Sequence, residues 1–197
     1  MTKHYNSTRK MVICAILCAI IVVLQLLSYV IHIGTFNLSL VLIPIVMGGI
    51  LLGPGYGALF GAVFGIVTVA TSITGLDAGG SMLYAANPFM LFVLCISKGA
   101  LAGFCSSGIY KLAVKCKANE IVSTVLAAIT APVVNTGVFC AITVLFYMDV
   151  LKQWAGGTDI LTYIFLGLIG INFIIELGLN IVLCPMLKTT VKAFKKM

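Results

Sequence analysis

The last apolar segment of the chain reads IGINFIIELGLNIVLC (residues 169–184), and it contains Asn172, Glu176 and Asn180. These three residues are spaced four apart, so on a helix they share one face. A carboxylate at the centre of a membrane helix costs about 2.5 to 3.5 kcal/mol, and it persists where it faces a protein interior, a water-filled cavity or a partner. The segment therefore predicts a membrane helix that turns one polar face towards the inside of a bundle.

The composition of the whole chain indicates an integral membrane protein. Of its 197 residues, 61% are hydrophobic and 9% are charged, and the mean hydropathy is +1.20. A soluble domain of this length needs far more charge on its surface. The net charge of +7 does not indicate nucleic acid, because Lys and Arg lie at the chain ends and in one loop. We therefore predict contact with membrane lipid and no nucleic-acid partner.

Hydropathy predicts one all-α membrane domain over residues 1–197, with six transmembrane helices. The helices are expected near residues 11–33, 38–52, 56–73, 88–110, 121–148 and 160–187. Most reach the ~20 residues that a bilayer requires, whereas the second is short and is expected to be tilted, kinked at Pro44 or partly re-entrant. Basic residues precede the first helix, follow the sixth and lie between the fourth and fifth, which predicts cytoplasmic N- and C-termini.

The two longer outer connections, residues 74–87 and 149–159, are predicted as loops. Their glycine and aromatic content allows two interpretations, either lids over a pocket or ordinary surface connections. For Trp154, in the second connection, we favour an interfacial anchor. The seven cysteines show no CxxC pattern and are interpreted as reduced apolar residues, so neither a metal nor another cofactor is predicted.

Small residues recur at helical spacing in two of the predicted helices. Gly53, Gly57, Gly61 and Gly65 form a stripe along the third, and Ala15 and Ala19 form an AxxxA step in the first. Such stripes allow two helices to approach closely. For the glycines we favour internal packing over a docking or sliding surface.

Polar residues near the centres of three separate segments predict a binding pocket inside the bundle. The expected depths are similar, which lipid-facing positions do not explain. In an alternative interpretation, Lys98 and Glu176 pair with each other and only join two helices. Gln25 and His32, near the end of the first helix, are interpreted as interfacial. The predicted pocket residues are Lys98 in the fourth segment, Asn135 and Thr136 in the fifth, and Asn172, Glu176 and Asn180 in the sixth.

Several stretches together resemble the S-components of energy-coupling factor (ECF) vitamin transporters. The run GTFNLSLVLIPIVMGGILLGPGYGALFGAVFGIVT (residues 34–68) is similar to the second and third helices of that family. The Ala15–Ala19 step lies where the family has its AxxxA motif. The stretches NPFMLFVLCISKGALAG (87–103), APVVNTGVF (131–139) and INFIIELGLN (171–180) are similar to later parts, so the resemblance covers essentially the whole chain.

The resemblance implies a six-helix protein of the bacterial plasma membrane that captures a vitamin from outside with high affinity. Its partner would be an ECF module of one transmembrane coupling protein and two ATPase subunits, with Ala15 and Ala19 at the coupling-protein interface. The family places its ligand towards the outer half, which adds Asn37, Tyr84 and Asn87 as candidate binding residues. The chain lacks a GxxxxGK[ST] loop, as expected of a subunit without its own ATPase.

The polar set favours pantothenate within that family, because Lys98 suits a carboxylate and the Asn amides suit hydroxyl and amide groups. Riboflavin, folate, pyridoxine or a thiamin precursor are the alternatives. Two other classes stay open, a small intramembrane enzyme and an ion-coupled transporter. Against the enzyme, the sequence shows no GxSx nucleophile with a partner His at membrane depth, no HExxH and no aspartyl dyad. We therefore predict no catalytic residues.

Overall fold

The structure is a bundle of helices with one short β-ladder. A computed structural model describes residues 7–29, 32–33, 36–37, 40–164, 170 and 173–183. Its elements are α1 (Ser7–Ser28), β1 (His32–Ile33), β2 (Phe36–Asn37), α2 (Leu42–Leu52), α3 (Pro54–Ile73), α4 (Ala78–Ala86), α5 (Pro88–Lys115), α6 (Glu120–Phe146), α7 (Met148–Ala155), α8 (Ile160–Tyr163) and α9 (Phe173–Leu183).

Four of these helices are long and apolar enough to cross a membrane. They are α1, α3, α5 and α6, and they agree with four of the six predicted segments. The second predicted segment contains the 11-residue α2, and the last contains α9, which is also short within the described residues. Pro44 is the third residue of α2, where a proline costs the helix no internal hydrogen bond.

Several predicted boundaries were wrong, and local chemistry explains the differences. The first helix ends at Ser28 rather than near residue 33, because His32–Ile33 pairs antiparallel with Phe36–Asn37. β-Branched and aromatic side chains such as Ile33 and Phe36 favour this extended pairing over a helix. The second helix begins at Leu42, four residues later than predicted.

The two outer connections are largely helical, contrary to the prediction of loops. In the first, Asp77 caps α4 by accepting a hydrogen bond from the Gly80 amide at 3.2 Å. In the second, the fifth predicted helix breaks at Tyr147, and α7 follows directly. These helices are eight or nine residues long, so their apolar patterns are too short to be distinguished from loops by hydropathy.

The closest packing in the bundle joins α3 to α5 through their backbones. A Cβ built on Gly61 would overlap the Gly99 carbonyl, and one on Gly57 would overlap the Gly103 carbonyl. Gly65 meets the carbonyl of Cys95 in the same way. The packing interpretation of the glycine stripe is therefore confirmed for Gly57, Gly61 and Gly65.

Gly53 does not belong to this contact, although it continues the spacing. It lies between α2 and α3 with φ +112°, a conformation that L side chains rarely adopt. Pro54 then begins α3 with the φ that a first helical residue requires. This glycine is therefore needed for the turn between two helices rather than for helix packing.

The first helix packs on α2 and α3 with one face, and the described residues leave its other face uncovered. Ile13, Leu17 and Ile21 are buried at four-residue spacing and join a core cluster with α2, α3 and α6. Ala15 and Ala19 lie on the exposed side of the same helix. The AxxxA step is thus available for a contact outside the described part of the chain.

The glycine contact gives a stability prediction. We expect Gly61→Ala to lower the free energy of unfolding by about 1 to 3 kcal/mol, because the added methyl group meets backbone that cannot rotate away. The matched control is Gly108→Ala on α5, where a Cβ has open space, and there we expect no loss. Thermal or SDS-induced unfolding of the purified variants measures both effects. Equal stability of the two variants would contradict the backbone contact.

Candidate functional site

A cavity of about 100 Å³ lies at one end of the bundle. It is bounded by the ends of α1 and α3, the start of α5, and one face each of α4, α6 and α7. Its wall contains apolar, hydroxyl, amide and charged groups, a mixture that is typical of ligand sites. The lining residues are Gln25, Tyr29, Phe64, Thr68, Ser72, Asp77, Gly79, Gly80, Leu83, Leu91, Leu94, Cys95, Lys98, Phe139 and Trp154.

A hydrogen-bonded cluster joins α1 to α3 at the cavity wall. The Gln25 amide nitrogen donates to the Tyr29 hydroxyl at 2.8 Å and to the Thr68 hydroxyl at 3.3 Å. The Thr71 hydroxyl also bonds to Tyr29, at 2.7 Å. All four side chains are at least 90% buried. Such a cluster fixes the end of α1 on α3, because buried polar groups are costly to separate from their partners.

Lys98 brings a positive charge to the cavity between two aromatic rings. Its ammonium nitrogen lies 5.6 Å from the centre of the Phe64 ring and 5.3 Å from that of Phe139. Both distances are in the range of cation–π attraction, which partly compensates for the loss of water around the charge. Lys98 makes no salt bridge within the described residues. The charge is therefore held in position without being neutralised.

Asp77 is the acidic residue of the lining, and it is already engaged in capping. Its carboxylate accepts from the first turn of α4, where the helix dipole also favours a negative charge. The Ser81 hydroxyl ties the same helix to the Ser72 carbonyl of α3 at 2.8 Å. These contacts hold α4 across the cavity.

A second helix, α7, also lies across the cavity, and contacts at both of its ends hold it to α4 and to the start of α5. We call α4 and α7 the cover helices. At its start, the Tyr147 hydroxyl donates to the Asn87 carbonyl at 2.7 Å. At its end, the Trp154 indole nitrogen lies 3.1 Å from the Met82 sulfur. Burial, with the Cys95 thiol nearby, raises the pKa of Tyr147 to about 12, so its hydroxyl keeps the proton that it donates.

Two interpretations of individual residues were wrong. Gln25 was expected at the membrane interface, yet it is 3% exposed and lines the cavity. Trp154 was expected as an interfacial anchor, yet it is half-buried, lines the cavity and packs against a buried apolar cluster that joins α3, α4, α5 and α7. Amphipathic side chains such as these suit both environments, and their tertiary neighbours decide between them.

The predicted pocket residues divide into two sets. Lys98 lines the cavity, whereas Asn135, Glu176 and Asn180 are buried but are not part of its described lining. Glu176 and Asn180 share one face of α9 as predicted, and the Asn180 amide donates to the Glu176 backbone carbonyl at 2.8 Å. Each of the three has a buried side-chain oxygen without a hydrogen-bond partner in the described structure. Their oxygens can therefore accept from a polar group, although they do not line the described cavity.

Lys98 and Glu176 do not form the salt bridge of the alternative interpretation within the described structure. Within the described residues, the ammonium of Lys98 is therefore available to another anion.

The remaining predicted residues are not part of the described lining of the cavity. Thr136 and Tyr84 are half-buried, and Asn87 is exposed and caps α5 by accepting from the Met90 amide at 3.2 Å. The backbone of Asn37 pairs with His32 in the small β-ladder. Asn172 lies outside the described residues.

The described residues contain no group of three or more His, Cys, Asp or Glu that could hold a metal ion. The six cysteines that the structure describes are free thiols. The polar lining residues that sequence analysis missed are the hydroxyl groups of α3, together with Tyr29 and Asp77. The signal for them was the run TVATSIT (residues 68–74), where hydroxyl residues interrupt an apolar helix near its end.

Comparison with known proteins identifies relatives over most of the chain. Residues 9–188 match the family described as ECF transporter, substrate-specific component. The chain is also 28% identical over 184 residues to the Pantothenic acid transporter PanT of Lactococcus lactis subsp. cremoris (strain MG1363), and the match covers 87% of each protein. Together with the four candidate spans, these matches indicate a multi-pass protein of the cell membrane.

The contact between Tyr147 and Asn87 can be tested without a ligand. We expect Tyr147→Phe to lower stability by about 0.5 to 1.5 kcal/mol, because one buried hydrogen bond is lost. Hydrogen–deuterium exchange should become faster in α4 and α7, which this bond fastens, and stay unchanged in the middle of α5.

Tyr110→Phe is the matched control, since Tyr110 is equally buried but lies in the core cluster away from both cover helices. Unchanged exchange in both α4 and α7 of the Tyr147→Phe variant would show that the bond does not hold them.

Proposed function

The chain belongs to the family of ECF transporter substrate-specific components, and we propose that it captures pantothenate outside the cell and delivers it to a shared ATP-driven ECF module. The family is a class of transporter subunits rather than of enzymes. Membership supports vitamin uptake in general, and the similarity to a protein named as a pantothenic acid transporter supports this vitamin. The partner module, one coupling protein and two ATPases, is the one that the family resemblance implies.

The observation that carries the choice of ligand is the unneutralised charge of Lys98 in the cavity wall. A carboxylate that meets this half-buried ammonium gains a charge-assisted hydrogen bond in surroundings where water screens the charges less than at an open surface. Asp77 does not compete for this role, because its carboxylate caps α4. Pantothenate offers one carboxylate, one amide and two hydroxyl groups, which fit the Lys98 ammonium and the polar cluster around Gln25.

The size of the cavity also favours a small ligand. About 100 Å³ is less than the roughly 300 to 1,000 Å³ of typical ligand pockets. Riboflavin and folate would need a much larger expansion of this cavity than pantothenate would. The two cover helices, α4 and α7, would have to move outwards to admit even a small molecule.

The buried polar residues outside the cavity lining are proposed to form a second group of ligand contacts. Asn135, Glu176 and Asn180 carry buried oxygens that can accept from hydroxyl or amide groups. We propose that these residues, with Thr136 and Asn172, contact the ligand as it moves deeper into the bundle. Asn37, Tyr84 and Asn87 stay candidates for its entry side.

Delivery requires a surface for the coupling protein, and we propose that Ala15 and Ala19 provide it. Both alanines are exposed in the middle of an apolar helix, where small side chains let a second helix approach closely. Exposed Ile16 and Ile20 flank them and extend the apolar face. With six helices, both chain termini are proposed to lie in the cytoplasm.

Binding of labelled pantothenate to the purified protein tests the ligand. We expect Lys98→Met to weaken binding about 10- to 100-fold, because a hydrogen bond to a charged group contributes about 1.5 to 3 kcal/mol. The control is Lys111→Met on the same helix, which removes an exposed charge outside the cavity. If Lys98→Met binds as tightly as the unmodified protein, the carboxylate does not lie at Lys98.

Transport tests the coupling surface separately from the ligand site. We expect Ala15→Trp or Ala19→Trp to abolish pantothenate uptake by cells while leaving binding to the purified protein unchanged, because the indole blocks close helix contact. Leu126→Trp is the control, as it places the same ring on an exposed apolar position of α6. Normal uptake by both alanine variants would exclude this surface.

A further inference from the structure

Gln25 occupies an unusual position for an amide side chain. It lies in the last turns of α1, is 3% exposed and lines the cavity. The other buried positions on this face of the helix are apolar for three turns before it, namely Ile13, Leu17 and Ile21. A single amide in that series therefore has no part in forming the apolar core.

The orientation of the amide follows from its neighbours. The nitrogen and oxygen of a Gln side chain are distinguished by what they bond to. The Thr68 hydroxyl gives its single hydrogen to the Phe64 carbonyl at 2.9 Å, so its oxygen must accept from Gln25. The Gln25 nitrogen therefore faces Thr68 and Tyr29.

The Gln25 oxygen is left without a donor. It is buried, and no described residue donates a hydrogen bond to it. A buried acceptor without a partner is unfavourable, and native structures seldom keep one to which no ligand, water or ion can bind. The cavity that Gln25 lines is where such a donor would arrive.

Gln25 and Lys98 both contact residues on the same face of α3. Gln25 bonds to Thr68, and the Lys98 ammonium lies over the ring of Phe64, one helical turn earlier. Four residues of helix correspond to about 6 Å along the axis. A ligand that meets both groups must carry an anion and a hydrogen-bond donor a few bonds apart.

We infer that the Gln25 side-chain oxygen accepts a hydrogen bond from an N–H or O–H group of the ligand and so determines specificity together with Lys98. This inference rests on the proposed function. In pantothenate, two methylene groups separate the carboxylate from the amide N–H, and hydroxyl groups follow beyond it. Lys98 selects the anion, and Gln25 selects the donor behind it, so an anion without such a donor binds weakly.

Two variants and two ligands test the inference. Gln25→Met keeps the length of the side chain and removes the acceptor, whereas Gln25→Glu keeps an acceptor oxygen. The ligands are pantothenate and panthenol, in which a hydroxymethyl group replaces the carboxylate and the donors remain. Isothermal titration of the purified protein measures all affinities, with Gln153→Met at an exposed position of α7 as the control.

We expect Gln25→Met to weaken the binding of both ligands about tenfold. Gln25→Glu should bind panthenol more tightly than Gln25→Met does, because its carboxylate accepts from the same donor, although it no longer donates to Tyr29 and Thr68. It should weaken the binding of pantothenate more than that of panthenol, because two carboxylates then repel each other. Lys98→Met should affect pantothenate far more than panthenol.

Other results overturn the inference in ways that differ from failure of the proposed function. If Gln25→Met binds both ligands as the unmodified protein does, the oxygen accepts nothing from them. If Gln25→Glu loses panthenol as completely as Gln25→Met, the amide only positions α1 on α3. If the unmodified protein binds no pantothenate, the proposed ligand itself is wrong, and the inference falls with it.

Discussion

The approach of α3 to α5 at the distance of backbone contact determines where the chemical groups of this protein can lie. Gly57 and Gly61 face Gly103 and Gly99, so backbone meets backbone there, with only the small Ser107 side chain beside Gly57. Close contact at these positions leaves the larger residues of both helices to project sideways, and Phe64 and Lys98 meet beside it. The glycines of the α3–α5 contact do not line the cavity, but they determine which side chains form its wall. The glycines that do line the cavity, Gly79 and Gly80, belong to α4.

The polar groups inside the bundle obey a single requirement, that a hydrogen-bonding group away from water needs a partner. Most hydroxyl groups of α3 meet it locally, by donating to carbonyls one turn earlier, as Thr68 and Ser72 do. Capping residues such as Asp77 and Asn87 meet it at helix starts. Among the buried side chains that the structure describes, the exceptions are four amide or carboxyl oxygens, on Gln25, Asn135, Glu176 and Asn180. The one on Gln25 belongs to a residue that lines the cavity, and this combination is what points to a ligand.

Sequence reasoning predicted the features that repeat over many residues. Four apolar segments were long enough to be recognised, and the four-residue spacing of Gly57, Gly61 and Gly65 indicated helix contact. Lys98 was predicted because a charge in an apolar segment is costly and therefore conspicuous. It lines the cavity, and its contact with a ligand stays a prediction. The wider set of predicted pocket residues, including Asn135 and Glu176, stays a prediction.

The features that sequence reasoning missed depend on contacts between distant parts of the chain. Whether Gln25 faces lipid headgroups or a cavity is decided by which side of α1 meets α3, and hydropathy does not report that side. The cover helices were missed because eight or nine residues give less than three turns of pattern. Trp154 suits a membrane interface and a cavity equally well, and only its neighbours Met82 and Leu83 distinguish the two.

The first helix has a mechanical property that follows from its sequence. Ten residues separate Ala15 on its exposed face from Gln25 in the cavity, which is about 15 Å along the axis. The helix contains neither proline nor glycine between them, so it has no hinge at which bending could absorb a displacement. The helix therefore joins the cavity to the alanine face as one continuous rod. A shift of Gln25 along the helix axis would move Ala15 and Ala19 in the same direction, without a relay of side chains.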